Sequence, residues 1–186
     1  MRQEDKITEK SSLYHHLESK SVGELLEDIN REDHKVADAV KEALPQIEAL
    51  VVEAEKRMKR GGRVFYIGAG TSGRLGVLDA SELPPTFGVP STLVSGLIAG
   101  GDTALRNAVE NAEDMTAQGW ADLQKFEPTA DDTLIGIAAS GTTPYVIGAI
   151  REARAHHMLT GCITSNPSTP LAEASEFPIE TIVGPE

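Results

Sequence analysis

Three stretches rich in serine and threonine follow apolar runs and could bind an anionic, hydroxylated ligand. Where a strand ends and a helix begins, unpaired N–H groups and the helix dipole attract phosphate, and hydroxyls donate to phosphate or sugar oxygens. For any single loop, helix capping explains the hydroxyls better than ligand binding does. Three such loops at one edge of the sheet instead favour binding of a sugar phosphate. The loops are GAGTSG (68–73), AASGTTP (138–144) and TSNPSTP (164–170). The candidate binding residues are Gly70, Thr71, Ser72, Ser140, Gly141, Thr142, Thr143, Ser165 and Asn166.

The first loop also fits the dinucleotide fingerprint G-x-G-x-x-G. That fold needs an acidic residue at the end of its second strand to hold the ribose, and no Asp or Glu occurs between Leu83 and Gly101. A P-loop is excluded as well, because GAGTSGR lacks the G-K-[ST] ending. Both nucleotide alternatives therefore rank below a sugar phosphate.

Two groups of acidic residues could transfer protons. From their spacing most are solvated helix charges. Glu82 differs because a leucine and a rigid Pro-Pro turn follow it, and partial burial there would suit a carboxyl group to acid–base catalysis. The groups are Asp79 and Glu82 in LDASELPP, and Glu110, Glu113 and Asp114 in VENAED.

The remaining reactive side chains point to no cofactor. His15-His16 and His156-His157 are adjacent pairs without the i, i+4 spacing that directs two imidazoles at one ion, so we predict no metal. Cys162 is the single cysteine and lies in an apolar run, which favours a buried, inert thiol.

The composition narrows the class of partner. The formal net charge is −12, with 29 acidic against 17 basic residues, which disfavours nucleic acid. The sequence has no run of about 18 apolar residues, so we expect no membrane span. The charged first twelve residues do not resemble a signal peptide, and we expect a cytoplasmic protein.

Strand and helix patterns alternate from residue 61 onwards, as in a parallel sheet covered on both faces. We predict an α/β fold in which residues 61–186 form a doubly wound, five-stranded parallel sheet. Right-handed crossovers would bring every strand-to-helix loop to one edge. The predicted strands are 63–69, 91–99, 132–140, 158–165 and 177–183, and the helices run from 72 to the Pro84-Pro85 break, 102–126, 144–155 and 170–174.

Residues 1–60 are predicted to form a separate N-terminal region. The polar first twenty residues indicate an extended arm, and Ser21 and Glu24 fit a capping box that starts a short helix. A longer helix is predicted from about Asp33 to Gly61. Its apolar stripe is Val36, Val40, Leu44, Ile47, Val51, Ala54 and Met58.

Four stretches together resemble the N-acetylmuramic acid 6-phosphate etherases, sugar isomerase (SIS) domain enzymes of bacterial cell-wall recycling. Residues 7–40 look like that family's N-terminal arm and helices, so the resemblance covers nearly the whole chain. LDASELPPTFG is its most specific part, since SIS domains in general share only the glycine and Ser/Thr loops. The stretches are GAGTSGRLGVLDASELPPTFG (68–88), AVENAED (108–114), GIAASGTTPYV (136–146) and SNPST (165–169).

The resemblance implies a lyase that cleaves the D-lactyl ether of N-acetylmuramic acid 6-phosphate without metal or nucleotide. Glu82 would be the proton donor and Glu113 the second acid/base. Ser72 and residues 140–143 would contact the phosphate or sugar. A homodimer with a shared site is implied, with the stripe of the long helix contributing to the interface.

The chain ends at Glu186, whereas the family continues into a C-terminal helical region. We therefore expect a C-terminally truncated SIS domain, in which incomplete closure of the site can abolish activity. Two alternatives stay open at this point, a non-catalytic sugar-phosphate sensor and an aldose–ketose isomerase. Glu82 beside its Pro-Pro turn favours the lyase, because a sensor needs no acid there.

Overall fold

The computed structural model describes residues 6–185 and contains a five-stranded, all-parallel sheet flanked by helices. This confirms the predicted α/β fold. The strands are β1 (Val64–Gly68), β2 (Val94–Ile98), β3 (Thr133–Ile137), β4 (Leu159–Thr164) and β5 (Phe177–Glu180). Their order across the sheet is β2-β1-β3-β4-β5. The prediction of an arm from residue 1 extends over residues 1–5, which lie outside the described residues.

The described residues contain six α-helices, of which the first precedes β1 and the other five lie between strands. They are α1 (Val22–Met58), α2 (Gly70–Phe87), α3 (Thr103–Arg106), α4 (Gln118–Gln124), α5 (Pro144–Ala155) and α6 (Pro170–Ala174). Two short 3-10 helices cover Leu17–Ser19 and Ala112–Asp114. Over residues 6–185, no helix combines the length and apolarity needed to cross a membrane.

The sheet has a switch point between β1 and β3. β1 pairs with β2 along one side and with β3 along the other, both in parallel register. The chain therefore leaves β1 in one direction and later returns to its opposite side. In open α/β sheets the loops diverge there and leave a crevice at the carboxyl ends of the strands, where ligands bind. The loops after β1 and β3 are the first two hydroxyl loops of the sequence.

The predicted helix break at Pro84-Pro85 is wrong. α2 includes both prolines and ends one turn later, at Gly88, whose φ of 68° is left-handed. Proline's fixed φ suits a helix, so two prolines near the C-terminus remove only the backbone bonds to the preceding turn. The stop is the glycine, whose N–H donates to the Pro84 carbonyl oxygen at 2.9 Å.

The predicted continuous helix 102–126 is also wrong. Only α3, the second 3-10 turn and α4 are helical there. Asn107 is extended, and Asn111 has a φ of 61°. An asparagine tolerates this left-handed conformation, and the break it makes moves Glu113 from a helix face to a turn.

α1 is one helix of 37 residues rather than a short and a long one. The predicted capping box is confirmed, because Ser21 Oγ accepts the Glu24 N–H and the Glu24 carboxylate accepts the Ser21 N–H. No glycine or proline occurs between residues 25 and 44 to interrupt the helix. Only its second half is buried, and Ala43, Leu50 and Ala54 pack on β4 and β5.

The main core lies between the other face of the sheet and α5. Tyr145, Val146 and Ile150 are fully buried against apolar residues of β1 and β3. Cys162 lies in the same cluster, as predicted, and burial raises the pKa of its thiol. A packed core on each face fixes the strand ends and hence the loops beyond them.

Candidate functional site

The hydroxyl loops lie at the carboxyl edge of the sheet, and capping does not account for two of them. α2 begins after Ala69, which has no hydroxyl, so residues 71–72 lie inside its first turn. Thr143 is the N-cap of α5, but its side chain makes no capping hydrogen bond. Thr169, by contrast, caps α6 by accepting the Ala172 N–H at 3.1 Å. The hydroxyls of the first two loops are thus not used to cap α2 or α5.

The predicted binding residues differ in how accessible they are. Gly70 and Thr71 are exposed, Ser72, Ser140, Thr142, Thr143 and Ser165 are half-buried, and Gly141 and Asn166 are buried.

The second loop, residues 140–143, is held rigidly. Ser140 Oγ accepts the Thr142 N–H at 3.3 Å and the Thr142 hydroxyl at 3.2 Å. Gly141 has a φ of 65°, and a Cβ built on it would lie 2.3–2.4 Å from the Thr169 side chain. Only glycine fits this position, so the loop is pinned against the start of α6.

Asn166 is predicted to bind substrate, but the structure turns its amide towards the N-terminal arm. The side chain is 0% exposed, and its Oδ1 accepts the Ile7 N–H at 2.5 Å and the Thr8 N–H at 3.3 Å. Its Nδ2 donates to Thr8 Oγ1 and to the Ala139 carbonyl oxygen, each at 3.0 Å. Asn166 therefore joins the arm to the loop after β3.

The sequence gives no indication that Lys6 belongs to this edge. Its Nζ donates to Thr142 Oγ1 at 3.0 Å, across 136 residues of chain. A single lysine in a polar arm carries no pattern, so only the tertiary structure could place it here.

A pocket of about 210 Å³ joins the loop after β1 to Glu113. Its floor is the end of β1 and β2, and its wall is the irregular segment before α4. Its lining includes Gly70, Arg74, Ala99, Ala104 and residues 107–113. Arg74, a second cation that sequence analysis missed, donates from Nε to the Leu105 carbonyl oxygen at 3.1 Å. The pocket thus brings a carboxylate and a guanidinium to the first hydroxyl loop.

Glu82 lies away from this edge. It is exposed and follows Gly70 by twelve residues on α2, which at 1.5 Å per residue is about 18 Å along the helix. Ala80 packs with Val64 and Val94, the first residues of β1 and β2, so this end of α2 lies beside the amino edge of the sheet. The expected partial burial of Glu82 is wrong for the single chain, and its carboxylate does not share a pocket with Glu113.

The described residues offer no ready metal site. Within residues 6–185, no group of three or more His, Cys, Asp or Glu side chains is arranged to hold an ion. Of the histidines singled out in the sequence, His156 stacks on Trp120 with ring centroids 4.5 Å apart.

Comparisons with known proteins identify an SIS domain and close sequence relatives of this chain. The family model described as glucokinase regulatory protein N-terminal SIS domain matches residues 44–154. The N-acetylmuramic acid 6-phosphate etherase of Bacteroides thetaiotaomicron is 68% identical over 181 residues, which cover 97% of this chain and 65% of that protein. The enzyme of the same name from Christiangramia forsetii is 62% identical over 186 residues, covering 100% of this chain and 68% of that protein. The chain thus spans about two thirds of the length of these curated relatives.

Among solved structures, the fold is similar to a phosphoheptose isomerase from Francisella tularensis. The TM-score is 0.62 at 21% identity, and the match covers 84% of this chain and 85% of that one. At this identity the likeness shows a shared fold.

Proposed function

Because the chain belongs to the N-acetylmuramic acid 6-phosphate etherase family, we propose that it forms the phosphate-binding and acid–base part of a carbon–oxygen lyase. Its substrate is N-acetylmuramic acid 6-phosphate, and its products are N-acetylglucosamine 6-phosphate and D-lactate. The observation that carries the proposal is the pocket lined by both Gly70 and Glu113. Gly70 belongs to the first hydroxyl loop (68–73), which is called the phosphate loop below.

The reaction explains why two carboxyl groups are needed. An ether is a poor leaving group for direct hydrolysis, but C3 is β to the C1 aldehyde of the open-chain sugar. A base removes the C2 proton, the C2–C3 double bond forms, and an acid protonates the departing lactate oxygen as the C3–O bond breaks. Water then adds its hydroxyl to C3 and its proton to C2. Each proton transfer needs a positioned group with a suitable protonation state.

The side chains at the carboxyl edge fit separate parts of this task. Ser72 and the loop 140–143 bind the phosphate or sugar through hydroxyls and the N-termini of α2 and α5. Gly70 lines the pocket, Thr71 follows it in the first turn of α2, and Ser165 lies in the loop after β4. Glu113 acts as one acid/base, and Glu82 acts as the proton donor.

The position of Glu82 favours a homodimer in which each site receives this residue from the other copy. Within one chain it lies about 18 Å from the phosphate loop along α2, too far for proton transfer. Leu75, Leu78 and Glu82 are spaced i, i+3, i+7 and so share one helix face, and the two leucines are 55% and 57% exposed. A second copy that covers this face would bury the two leucines. Glu82 of the first copy would then enter the crevice at the carboxyl edge of the second copy's sheet.

We assign residues 1–60 to packing and dimerisation and 61–186 to the SIS domain. The first half of α1 supports this division, since Val36 and Val40 are exposed and no residue before Ala43 on that helix is buried. We infer a cytoplasmic location, because an enzyme of bacterial cell-wall recycling would encounter its phosphorylated sugar there.

The test is D-lactate release from N-acetylmuramic acid 6-phosphate. We expect turnover by the chain alone or by the chain fused to the remaining C-terminal third of the Bacteroides relative. Glu82→Gln and Glu113→Gln should each lower the rate by about 10²-fold or more, while the folding transition is unchanged. Asp114→Asn is the matched control, because it changes an exposed neighbour in the same turn and should retain the rate. Lactate from neither protein, or wild-type rates in both glutamine variants, would contradict the proposal.

A further inference from the structure

The N-terminal arm is anchored at the carboxyl edge of the sheet by a buried contact. Thr8 is 5% exposed although the residues that follow it are exposed. Its hydroxyl and its N–H both bond to the fully buried Asn166 amide, which in turn bonds to Ala139, directly before the loop 140–143. Breaking these hydrogen bonds would leave buried polar groups without partners, which is costly in free energy. The arm is therefore held in place two residues beyond Lys6.

The Lys6 ammonium lies on a neutral hydroxyl and not on a carboxylate. Lys20 and Lys35, further along the chain, pair with Asp28 and Glu32, whereas Lys10 of the arm is exposed and forms no ion pair within residues 6–185. Within the described residues no carboxylate oxygen lies within 4.0 Å of Lys6 Nζ. An ammonium has three N–H donors, and the contact with Thr142 uses one. Among the described residues this cation therefore has a hydroxyl and no carboxylate as its partner.

The same loop receives a second source of positive potential. α5 has twelve residues and starts at Pro144, directly after the loop; its N-cap side chain makes no capping hydrogen bond, and the Val146 N–H donates to the Thr143 carbonyl oxygen at 3.1 Å. The N-terminus of such a helix carries about half a positive charge. A phosphate monoester carries between about one and two negative charges near neutral pH. Hydroxyls, a helix N-terminus and an ammonium thus converge where one such group would fit.

We propose that Lys6 is a phosphate-binding residue of the site, delivered by the arm and held by the Thr8–Asn166 contact. This inference rests on the proposed sugar-phosphate function and adds a residue outside the sheet to it. Lys6 adds affinity for the phosphorylated end of the substrate, and Asn166 serves as a positioning residue that does not touch the ligand.

The proposal couples phosphate binding to docking of the arm. If Lys6 reaches the phosphate only when the arm is docked, then phosphate binding must stabilise the docked arm by the same factor. Hydrogen exchange at the Ile7 and Thr8 amides should therefore slow when N-acetylglucosamine 6-phosphate is added. The same exchange should be unaffected by the sugar in the Lys6→Met variant.

The binding experiment compares N-acetylglucosamine 6-phosphate with unphosphorylated N-acetylglucosamine by calorimetry. Loss of one charge-assisted hydrogen bond predicts that Lys6→Met binds the phosphorylated sugar about tenfold or more weakly. Its affinity for the unphosphorylated sugar should not change, and Lys6→Arg should restore most of the loss. The matched control is Lys10→Met, an exposed lysine of the same arm, which should bind both sugars like the wild type.

A double-mutant cycle tests the role of Asn166. Asn166→Ala should weaken binding of the phosphorylated sugar, and adding Lys6→Met to it should cause little further loss, because the arm no longer delivers the lysine. If Asn166→Ala does not fold, the Lys6 variants alone decide the proposal.

The outcomes separate this inference from the proposed function. Wild-type affinity of Lys6→Met for the phosphorylated sugar, or an equal loss for both sugars, overturns it even if D-lactate is released. Phosphate-selective loss in Lys6→Met supports it even if no ether is cleaved, in which case only the lyase proposal fails. Absence of binding of either sugar by the wild type overturns it as well.

Discussion

Mixing two inactive variants offers a direct test of whether Glu82 works in the site of a second copy. The variants are Glu82→Gln and Glu113→Gln, which replace each carboxylate by an amide of the same shape. In the single chain these two residues lie on opposite edges of the sheet, with about 18 Å of α2 between the phosphate loop and Glu82. A site that needs both must therefore combine Glu113 of one copy with Glu82 of the other.

The expected recovery follows from counting sites. In a twofold dimer made of one copy of each variant, one site has both glutamates replaced and the other has both intact. Random reassociation of equal amounts makes about half of the dimers mixed, and each of these has one complete site of two. The mixture should thus regain about a quarter of wild-type turnover, whereas each variant alone retains about a hundredth or less.

The assay follows D-lactate release after the two purified variants are mixed, partly unfolded and refolded together. Separate refolding of each variant before mixing is the control, and it should give no recovery if the dimers do not exchange. If both glutamates served the same chain, every site in a mixed dimer would lack one of them. Activity of the co-refolded mixture that stays at the level of the single variants would refute the shared site.

Two further predictions concern the scaffold around the site. Asp132 is 1% exposed and binds Arg63, and although burial alone would raise the pKa of this carboxyl, the hydrogen bonds from Arg63 and Thr129 lower it. Asp132→Asn should cost about 3–5 kcal/mol of unfolding free energy in urea denaturation, against less than about 1 kcal/mol for Asp131→Asn, whose ion pair is exposed. The contribution of Asp132 should be present above the ordinary carboxyl pKa of about 4 and decline as the pH falls through its lower folded value; equal losses in both variants would contradict this. Gly141→Ala should lower the melting temperature and phosphate affinity more than Gly101→Ala, since both glycines have a φ of 65° but only the first faces a side chain within 2.4 Å.

The sheet could be predicted because its strands are buried apolar runs separated by helical patterns. α5 was predicted over residues 144–155 and has these bounds in the structure, since Pro144 starts it and the buried Gly148 does not interrupt it. The strand ends differ from the prediction by up to three residues where apolar side chains continue into the loops, as at Ala138 and Ala139 after β3. Helix interruptions were predicted less well, because proline and asparagine act through the local backbone angle and not through polarity.

The site could be predicted only where it follows from the order of the strands. Hydroxyl loops after parallel strands must meet at one edge, so Ser72 and Ser140 could be assigned together. The order of the strands does not bring Glu82 to this edge. A crossover helix runs back along the sheet, so a residue at its end lies at the opposite edge. Asn166 was assigned to substrate by its place in a loop, and only the docked arm shows which partner takes its amide.

The groups of the proposed site come from three places: the loops at the strand ends, the N-terminal arm and the exposed face of α2. In the proposed site the strand ends supply hydroxyls and helix N-termini for the anion, and Arg74 lies in the adjoining pocket. The ammonium of Lys6 comes from an arm anchored by a single buried side chain, and the carboxylate of Glu82 from the exposed face of α2. Hydroxyls and helix N-termini can bind an anion within an acidic chain. The charged groups of Lys6 and Glu82 would join them when the arm docks and the two copies pair. Under this proposal, binding of the sugar phosphate and cleavage of the ether are separable, since the first needs one docked chain and the second needs two.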